Sequence, residues 1–221
     1  MNGYIEACRN HRDTRRLATL LGDLVATPAL HARFVNTLSR MEYIGVRKML
    51  KSRRADRMDL EGLQHILDEG VHALRLKKAA LALAAAAGVD VTTFSEAHTL
   101  AGEAGEAYFQ ALDRRAEALV ADLADDVRVE ANYLLTSAAI EVRAQVFYPL
   151  YDRCLAAGRA GFSVAAITKD EDRHLGEMKD GLARAVGDWR PRMEAVLAAE
   201  STHFGQFLGA MELALVAERA A

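Results

Sequence analysis

Two short motifs inside predicted helices constrain the fold of this chain more than any other feature. They are Glu69-Gly-Val-His72 and Glu171-Asp-Arg-His174, and each stands where the apolar stripe of its helix would face a core. Residues three apart lie on one face of a helix, so a carboxylate and an imidazole at this spacing can reach a common ion. The repeated Glu-x-x-His motif therefore predicts two helices that face one shared polar site.

Single glutamates on two further predicted helices complete the pattern. Glu42 precedes Glu69 by 27 residues and Glu141 precedes Glu171 by 30, and each interval fits two helices joined as a hairpin. The halves resemble a repeat, since 99 residues separate the single glutamates and 102 separate the paired motifs. We predict a metal site that consists of Glu42, Glu69, His72, Glu141, Glu171 and His174.

The charge of this set indicates what it binds. Four ionised carboxylates buried together repel one another, and each is costly to remove from water. Two divalent cations would cancel their charge while both histidines stay neutral. Mixed carboxylate and imidazole ligands suit iron or manganese better than calcium or a thiolate-bound zinc. The sequence therefore predicts two iron ions, with manganese as the alternative.

The composition favours an all-α protein. Half of the 221 residues are apolar, prolines number three, and β-branched runs of strand length are nearly absent. We expect one domain over residues 1–221, with a four-helix core at about 28–188, a long helical crossover between the second and third core helices, and extra helices at both ends. The C-terminal accessory helix is expected at about 190–219.

Periodicity and capping residues give the expected segments. Thr27-Pro28 predicts a helix start, Asp59 predicts a cap, and Gly88 predicts a helix end. Residues 1–12 are polar and are expected to be loosely held. The stripe of the second core helix is expected to place Leu63 and Ile66 inward together with the motif. The expected helices are 15–25, 28–51, 60–87, 93–124, 127–157, one ending at 186, and 193–218.

On these motifs the chain resembles the ferritin-like di-iron carboxylate superfamily, in its non-haem oxygenase and oxidase branch. In that superfamily a four-helix bundle contributes one glutamate from each of two helices and Glu-x-x-His from each of the other two. The resemblance implies terminal carboxylates at Glu42 and Glu141 and bridging carboxylates at Glu69 and Glu171. It implies terminal imidazoles at His72 and His174.

Three further polar residues are candidates for additional ligands or for hydrogen-bonding partners of the ligands. His65 precedes Glu69 by four residues, and a histidine at the end of the bundle or beside a ligand is the alternative. Glu200 and His203 form a third Glu-x-x-His on the last helix, where a substrate passage or a subunit interface is the alternative.

The resemblance implies three classes of function. The first is activation of O2 to oxidise or hydroxylate an organic substrate, with electrons from a ferredoxin or a flavoprotein. The others are iron oxidation and storage, and peroxide reduction of the rubrerythrin type. Gly70 stands where bacterioferritins carry a haem-binding methionine, and the chain lacks the four cysteines of a rubredoxin module. We therefore expect the oxygenase or oxidase class.

Charge and cysteine content bear on location and partners. The net charge is -3, and the basic excess in residues 1–60 centres on a predicted helix end that we expect to be solvated. Nucleic acid is not expected as a general partner, although segment 134–143 loosely resembles the third helix of bacterial tRNA-modifying di-iron hydroxylases, which leaves a tRNA substrate open. The chain has two cysteines, no leader-like segment and no long apolar run, so we expect a cytoplasmic protein without a membrane span. A homodimer is a possible assembly.

Overall fold

The computed structural model describes residues 1–52 and 55–220, and this part of the chain is all-helical without a strand, as predicted. Two short 3-10 turns lie at Ala55–Arg57 and Glu96–His98. The α-helices are α1 Asn2–Asn10, α2 Arg12–Val25, α3 Pro28–Ser52, α4 Leu60–Ala87, α5 Gly102–Leu119, α6 Asp125–Gly158, α7 Ala165–Val186 and α8 Arg190–Ala220. The predicted basic helix end at Arg53 and Arg54 lies outside the described residues.

Two helix pairs frame the interior: α3 packs along α4, and α6 packs along α7. Local signals set their limits. Asp59 caps α4, because its side chain accepts a hydrogen bond of 2.8 Å from the Gly62 amide. Gly88 ends α4 in the left-handed conformation, with φ of 69°, which a residue without a Cβ adopts without strain. Both limits of α4 confirm the prediction.

The remaining helices surround these pairs. Helix α5 packs on α8 and α6, and α1 and α2 lie against α6. Tyr108 of α5 stacks on Phe207 of α8, with 6.2 Å between ring centroids. None of the helices in the described ranges is long and apolar enough to cross a membrane.

Three local expectations were wrong. Residues 2–10 form helix α1 rather than a loose segment, because Cys8 is buried and Tyr4 packs edge-on against Trp189. The crossover helix is shorter than expected and begins only at Gly102. On α4, Leu63 is 51 % exposed, whereas His65 is buried. The buried face of α4 is thus rotated, relative to the expected one, so that it includes His65 and excludes Leu63.

Candidate metal centre

The structure brings all six predicted ligands together and adds His65. Their ligand atoms form two groups of four, and within each group every atom lies within 4.8 Å of the others. We call the first group the His65 half; it consists of His65, Glu69, Glu141 and His174. We call the second group the His72 half; it consists of Glu42, Glu69, His72 and Glu171. Glu69 belongs to both halves.

Two carboxylates lie between the halves. One oxygen of Glu69, Oε1, is 3.9 Å from His72 Nδ1 and 3.6 Å from His174 Nδ1. Glu171 spans the same gap with both oxygens, Oε1 at 3.3 Å from His72 Nδ1 and Oε2 at 2.7 Å from His174 Nδ1. Each of these carboxylates can therefore reach an ion in either half, which is what a bridging role requires.

His65 distinguishes the first half. Its Nε2 lies 3.6 Å from Glu69 and 4.0 Å from Glu141, and its ring stacks on that of His174 with centroids 3.8 Å apart. The opposite nitrogen, Nδ1, is 3.4 Å from the Tyr133 hydroxyl. His65 therefore directs one nitrogen toward the carboxylates and is held from behind by Tyr133.

Two aspartates near the centre did not figure among the sequence candidates. Asp170 Oδ2 lies 3.1 Å from His72 Nε2, and Asp68 Oδ2 lies 3.4 Å from His174 Nε2. A carboxylate that accepts from Nε2 fixes the ring orientation and leaves Nδ1 as the ligand atom. The sequence contains the signal, since both motifs read Asp-Glu-x-x-His, and each aspartate contacts the histidine of the other motif.

Burial and mutual repulsion dominate the electrostatics of the acids. Burial, together with Glu171 and Glu42, raises the pKa of Glu69 well above its usual value. Burial and the nearby carboxylates of Glu171 and Glu69 raise the pKa of Glu141 as well. In the absence of a cation, protons therefore remain on part of this cluster.

Contacts between imidazole and carboxylate groups favour the charged forms of His72 and Glu171 and outweigh burial. Burial disfavours protonation of His72, but the carboxylates of Glu171 and Glu42 close to its ring outweigh burial and raise its pKa to about 11. Burial opposes ionisation of Glu171, yet the contacts with His174 and His72 lower its pKa. A proton on imidazole thus offsets one negative charge of the cluster.

Two ligand atoms have no hydrogen-bonding partner within the part of the chain that the structure describes. They are Glu69 Oε1 and His72 Nδ1, both fully buried. A buried polar atom without a partner costs about 1–3 kcal/mol. Both atoms face the other ligands, so a divalent cation between them would satisfy both. The residues therefore fit the predicted metal centre.

Outer contacts hold the carboxylates in place. The Tyr148 hydroxyl donates a short hydrogen bond to Glu42 Oε1. Gly45 leaves room for Glu69, because a Cβ at this position would lie 3.0 Å from Glu69 Oε2.

The other two candidate ligands lie elsewhere. Glu200 is buried, but both its oxygens accept hydrogen bonds from Arg143, each at 2.8 Å. His203 lies 3.1 Å from Gln206 on the half-buried side of α8. Neither belongs to the two groups of ligand atoms.

A cavity of about 290 Å³ adjoins the centre. Five ligands border it, namely Glu42, His65, Glu69, Glu141 and Glu171. Most of the remaining wall is apolar, from Leu38 and Met41 on α3 to Phe147 on α6 and Phe207 on α8. This combination of apolar wall and few convergent polar groups is typical of a site for a small organic molecule.

No protein-family model matches the chain, and comparison with curated proteins and with solved structures gives no significant match. The assignment of function therefore depends on the chemistry of the site.

Proposed function

We propose that this chain is a ferritin-like di-iron carboxylate protein that uses O2 to oxidise or hydroxylate an organic substrate. The observation that supports the proposal most directly is the pair of four-ligand groups that share Glu69 and open onto an apolar cavity. Two cations so placed would be neutralised by the four carboxylates, and three imidazoles complete the donor set. Mixed oxygen and nitrogen donors of this kind suit iron, with manganese as the competing ion.

The protein's own contribution would be binding, orientation and exclusion of water. When bound, two ferrous ions supply redox chemistry with O2 that no side chain can provide. Asp170 and Asp68 orient His72 and His174, and Tyr148 holds Glu42 by its hydrogen bond. The apolar part of the cavity wall would limit the water beside Glu69 and Glu171, and the cavity gives an organic molecule room there.

The rim of the cavity favours this function over iron storage. A route for incoming iron would offer carboxylates without cationic partners. Glu106 and Asp113 are acidic residues of the cavity lining, and both are paired, Glu106 with Arg40 at 2.6 Å and Asp113 with Lys48. Among the described residues, the rim therefore lacks the unpaired carboxylates along which iron ions could enter. The interior is instead suited to an apolar substrate.

Metal analysis combined with O2 uptake tests the proposal. Purified protein is loaded with Fe(II) without oxygen, desalted, and assayed for iron per chain. It is then exposed to O2 with and without a chemical reductant. We expect two bound irons per chain and stoichiometric O2 consumption on each reduction cycle. Glu171→Ala should lose both properties while helix content by circular dichroism stays unchanged.

Glu218→Gln is the matched control, because Glu218 is an exposed glutamate on α8, away from the candidate metal centre. It should behave as the unaltered protein does. A protein that retains no iron or manganese after loading contradicts the proposal. Accumulation of iron far beyond two ions per chain would instead assign the chain to storage.

A further inference from the structure

A second buried polar cluster lies outside the metal centre. Arg143 of α6 donates to both oxygens of Glu200 through Nε and Nη2, each at 2.8 Å. The Tyr108 hydroxyl donates to the same carboxylate, also at 2.8 Å. All three side chains are buried, with Arg143 only 4 % exposed. The arrangement holds the guanidinium rigidly, since Phe204 also packs over it at 4.0 Å.

One nitrogen of this guanidinium is left over. Nη1 of Arg143 is buried and has no hydrogen-bonding partner within the described part of the chain. Buried donors in folded proteins are nearly always paired, and a lone one requires an explanation. A guanidinium can hold a carboxylate through one nitrogen while another contacts a second acceptor. Arg143 thus retains capacity for a ligand after binding Glu200.

The cavity links Arg143 to the metal centre. Arg143 and Glu141 both line it, although they stand two residues apart and hence on opposite sides of α6. The wall between them is apolar and includes Ile140, Ala144 and Phe147. With a helix about 10 Å across, the two polar ends are separated by a distance on the order of 10 Å.

The charge at the rim favours an anion. Exposed Arg47 and Lys51 border the cavity and form no ion pair within the described ranges. Lys48 is neutralised by Asp113. Uncompensated positive charge at the rim of an apolar cavity attracts anionic ligands.

We propose that the cavity binds an elongated, mainly apolar carboxylic acid whose carboxylate accepts a hydrogen bond from Arg143 Nη1. Its apolar body would lie along Ile140, Ala144 and Phe147, with its far end beside the ligands of the metal centre. Binding of the carboxylic acid depends only on the cavity and Arg143, whereas oxidation of its far end rests on the proposed function. Glu200 then holds the Arg143 guanidinium in place and partly neutralises its charge.

Decanoate and decanol serve as the probes, because they differ chiefly in the anionic head group. Isothermal titration calorimetry is performed on the protein as purified and after treatment with a chelator. We expect decanoate to bind roughly tenfold to a hundredfold more tightly than decanol in both samples. Equal affinity for the two probes would overturn the inference.

The paired variant Arg143→Gln/Glu200→Gln removes both buried charges together and keeps similar side-chain volumes. It should lose the preference for decanoate while its affinity for decanol changes little. Arg143→Lys, which retains a cation opposite Glu200 but lacks the forked donor set, should lose most of the preference. Helix content and melting temperature show whether each variant is folded.

A further pair of outcomes separates this inference from the proposed function. If decanoate binding survives in Arg143→Gln/Glu200→Gln but vanishes in metal-free Glu69→Gln, the carboxylate contacts the metals, and the inference is wrong. If the protein retains no metal but binds decanoate through Arg143, the inference stands and the proposed function fails.

The outer face of α4 supports a second, independent inference. It presents an apolar row on the side opposite the metal ligands, spaced by three, four, four, three and seven residues, with exposed Lys78 in the last interval. This is the period of a coiled-coil seam, and the row runs for about 32 Å. We call it the α4 row, and its side chains are between 40 % and 81 % exposed: Leu60, Leu63, Leu67, Val71, Leu74 and Leu81.

We infer that the α4 row binds the α4 row of a second copy of this chain in antiparallel orientation. That orientation pairs Leu60 with Leu81, Leu67 with Leu74, and Val71 with Gly70. A Cβ at Gly70 would meet nothing within 4 Å, so Val71 of the second copy has space there. It also brings Glu61 near Lys78 of the second copy, whereas a parallel arrangement would place like charges together.

Sedimentation velocity over a concentration series tests this inference. We expect a dimer that Leu67→Glu/Leu74→Glu converts to monomer, while Leu213→Glu, at an exposed leucine of α8, leaves it intact. Glu61→Lys should weaken the dimer severalfold, and Glu61→Lys/Lys78→Glu should restore it. A monomer at the highest soluble concentration overturns the inference, and failure of the double exchange overturns the antiparallel orientation.

Discussion

The two halves of the candidate metal centre share Glu69 but differ in their nitrogen donors. The His65 half offers two imidazoles, His65 and His174, whereas the His72 half offers one. The difference arises on α4, which supplies three ligands where α7 supplies two. The position on α7 that corresponds to His65, four residues before the motif glutamate, is Ile167, which is buried. A sequence that repeats its ligands can therefore build two inequivalent sites by changing one side chain.

Loss of the shared ligand should have the largest effect. Glu69→Gln removes the one carboxylate common to both groups of ligand atoms, so each half loses a ligand and three carboxylates remain against the four positive charges of two cations. We expect the variant to lose both metal ions, as measured by elemental analysis after anaerobic loading. Glu218→Gln on α8 is the control. Retention of one ion would show that Glu69 serves a single half.

Loss of a histidine should separate the halves. His72→Ala removes the only imidazole of its half, and we expect it to lose one metal ion and keep the other. His65→Ala leaves His174 in place, so we expect both ions to bind, with the ion in the His65 half bound at least tenfold more weakly. Competition with a coloured chelator measures both affinities. If the affinity of neither ion changes in His65→Ala, His65 is not a ligand.

The pH dependence of stability should report on the same inequivalence once metal is removed. The raised pKa values of Glu69, Glu141 and His72 mean that the folded, metal-free protein binds more protons than the unfolded chain. Its stability should therefore fall as pH rises from about 6.5, the ordinary pKa of histidine, toward about 11, the pKa of His72.

Thermal melts with and without chelator measure this effect. Each kcal/mol lost lowers the melting temperature by about 2–4 °C in a chain of this size. Bound cations take the place of the protons, so the loaded protein should melt at a temperature that depends far less on pH. His72→Ala should reduce the alkaline loss in the chelated protein. A chelated protein that gains stability between pH 7 and 10 would contradict the assigned shifts.

The aspartates behind the imidazoles should act on one half each. Asp170→Asn weakens the orientation of His72 and should lower metal affinity in the His72 half by about tenfold to a hundredfold. Asp68→Asn should do the same for His174 in the other half. Metal titrations followed by calorimetry would resolve two binding steps, and each variant should lower the affinity of one step. A shift of the same step by both variants would contradict the crossed contacts.

The candidate ligands could be predicted from the sequence because their positions obey local rules. Helix period alone places Glu69 and His72 on one face, and Asp59 and Gly88 fix the limits of α4 through backbone hydrogen bonds made within a few residues. The same reasoning failed one turn earlier. Leu63 is the better apolar residue for a core, yet His65 faces inward because the polar centre and Tyr133 provide partners for its ring.

Contacts between distant segments explain the other failures. Helix α1 forms because Tyr4 packs on Trp189, which is separated from it by most of the chain. The partner of Glu200 is Arg143, on a different helix, and the spacing of Glu200 and His203 suggested a metal ligand instead. Periodicity identifies which side chains face inward, but it does not identify which inward side chains meet.

The smallest expected effect comes from one of two tyrosines that contact opposite halves. Tyr148 donates to Glu42 in the His72 half, and Tyr133 contacts His65 in the other. A hydrogen bond contributes about 1.5–3 kcal/mol to a carboxylate and about 0.5–1.5 kcal/mol between neutral groups. Tyr148→Phe should therefore weaken one metal-binding step by about tenfold to a hundredfold without changing the number of ions bound, and Tyr133→Phe should weaken the other by about twofold to tenfold. If Tyr133→Phe has no effect while His65→Ala does, His65 binds its metal without help from Tyr133, and the inequivalence of the halves lies in the imidazole alone.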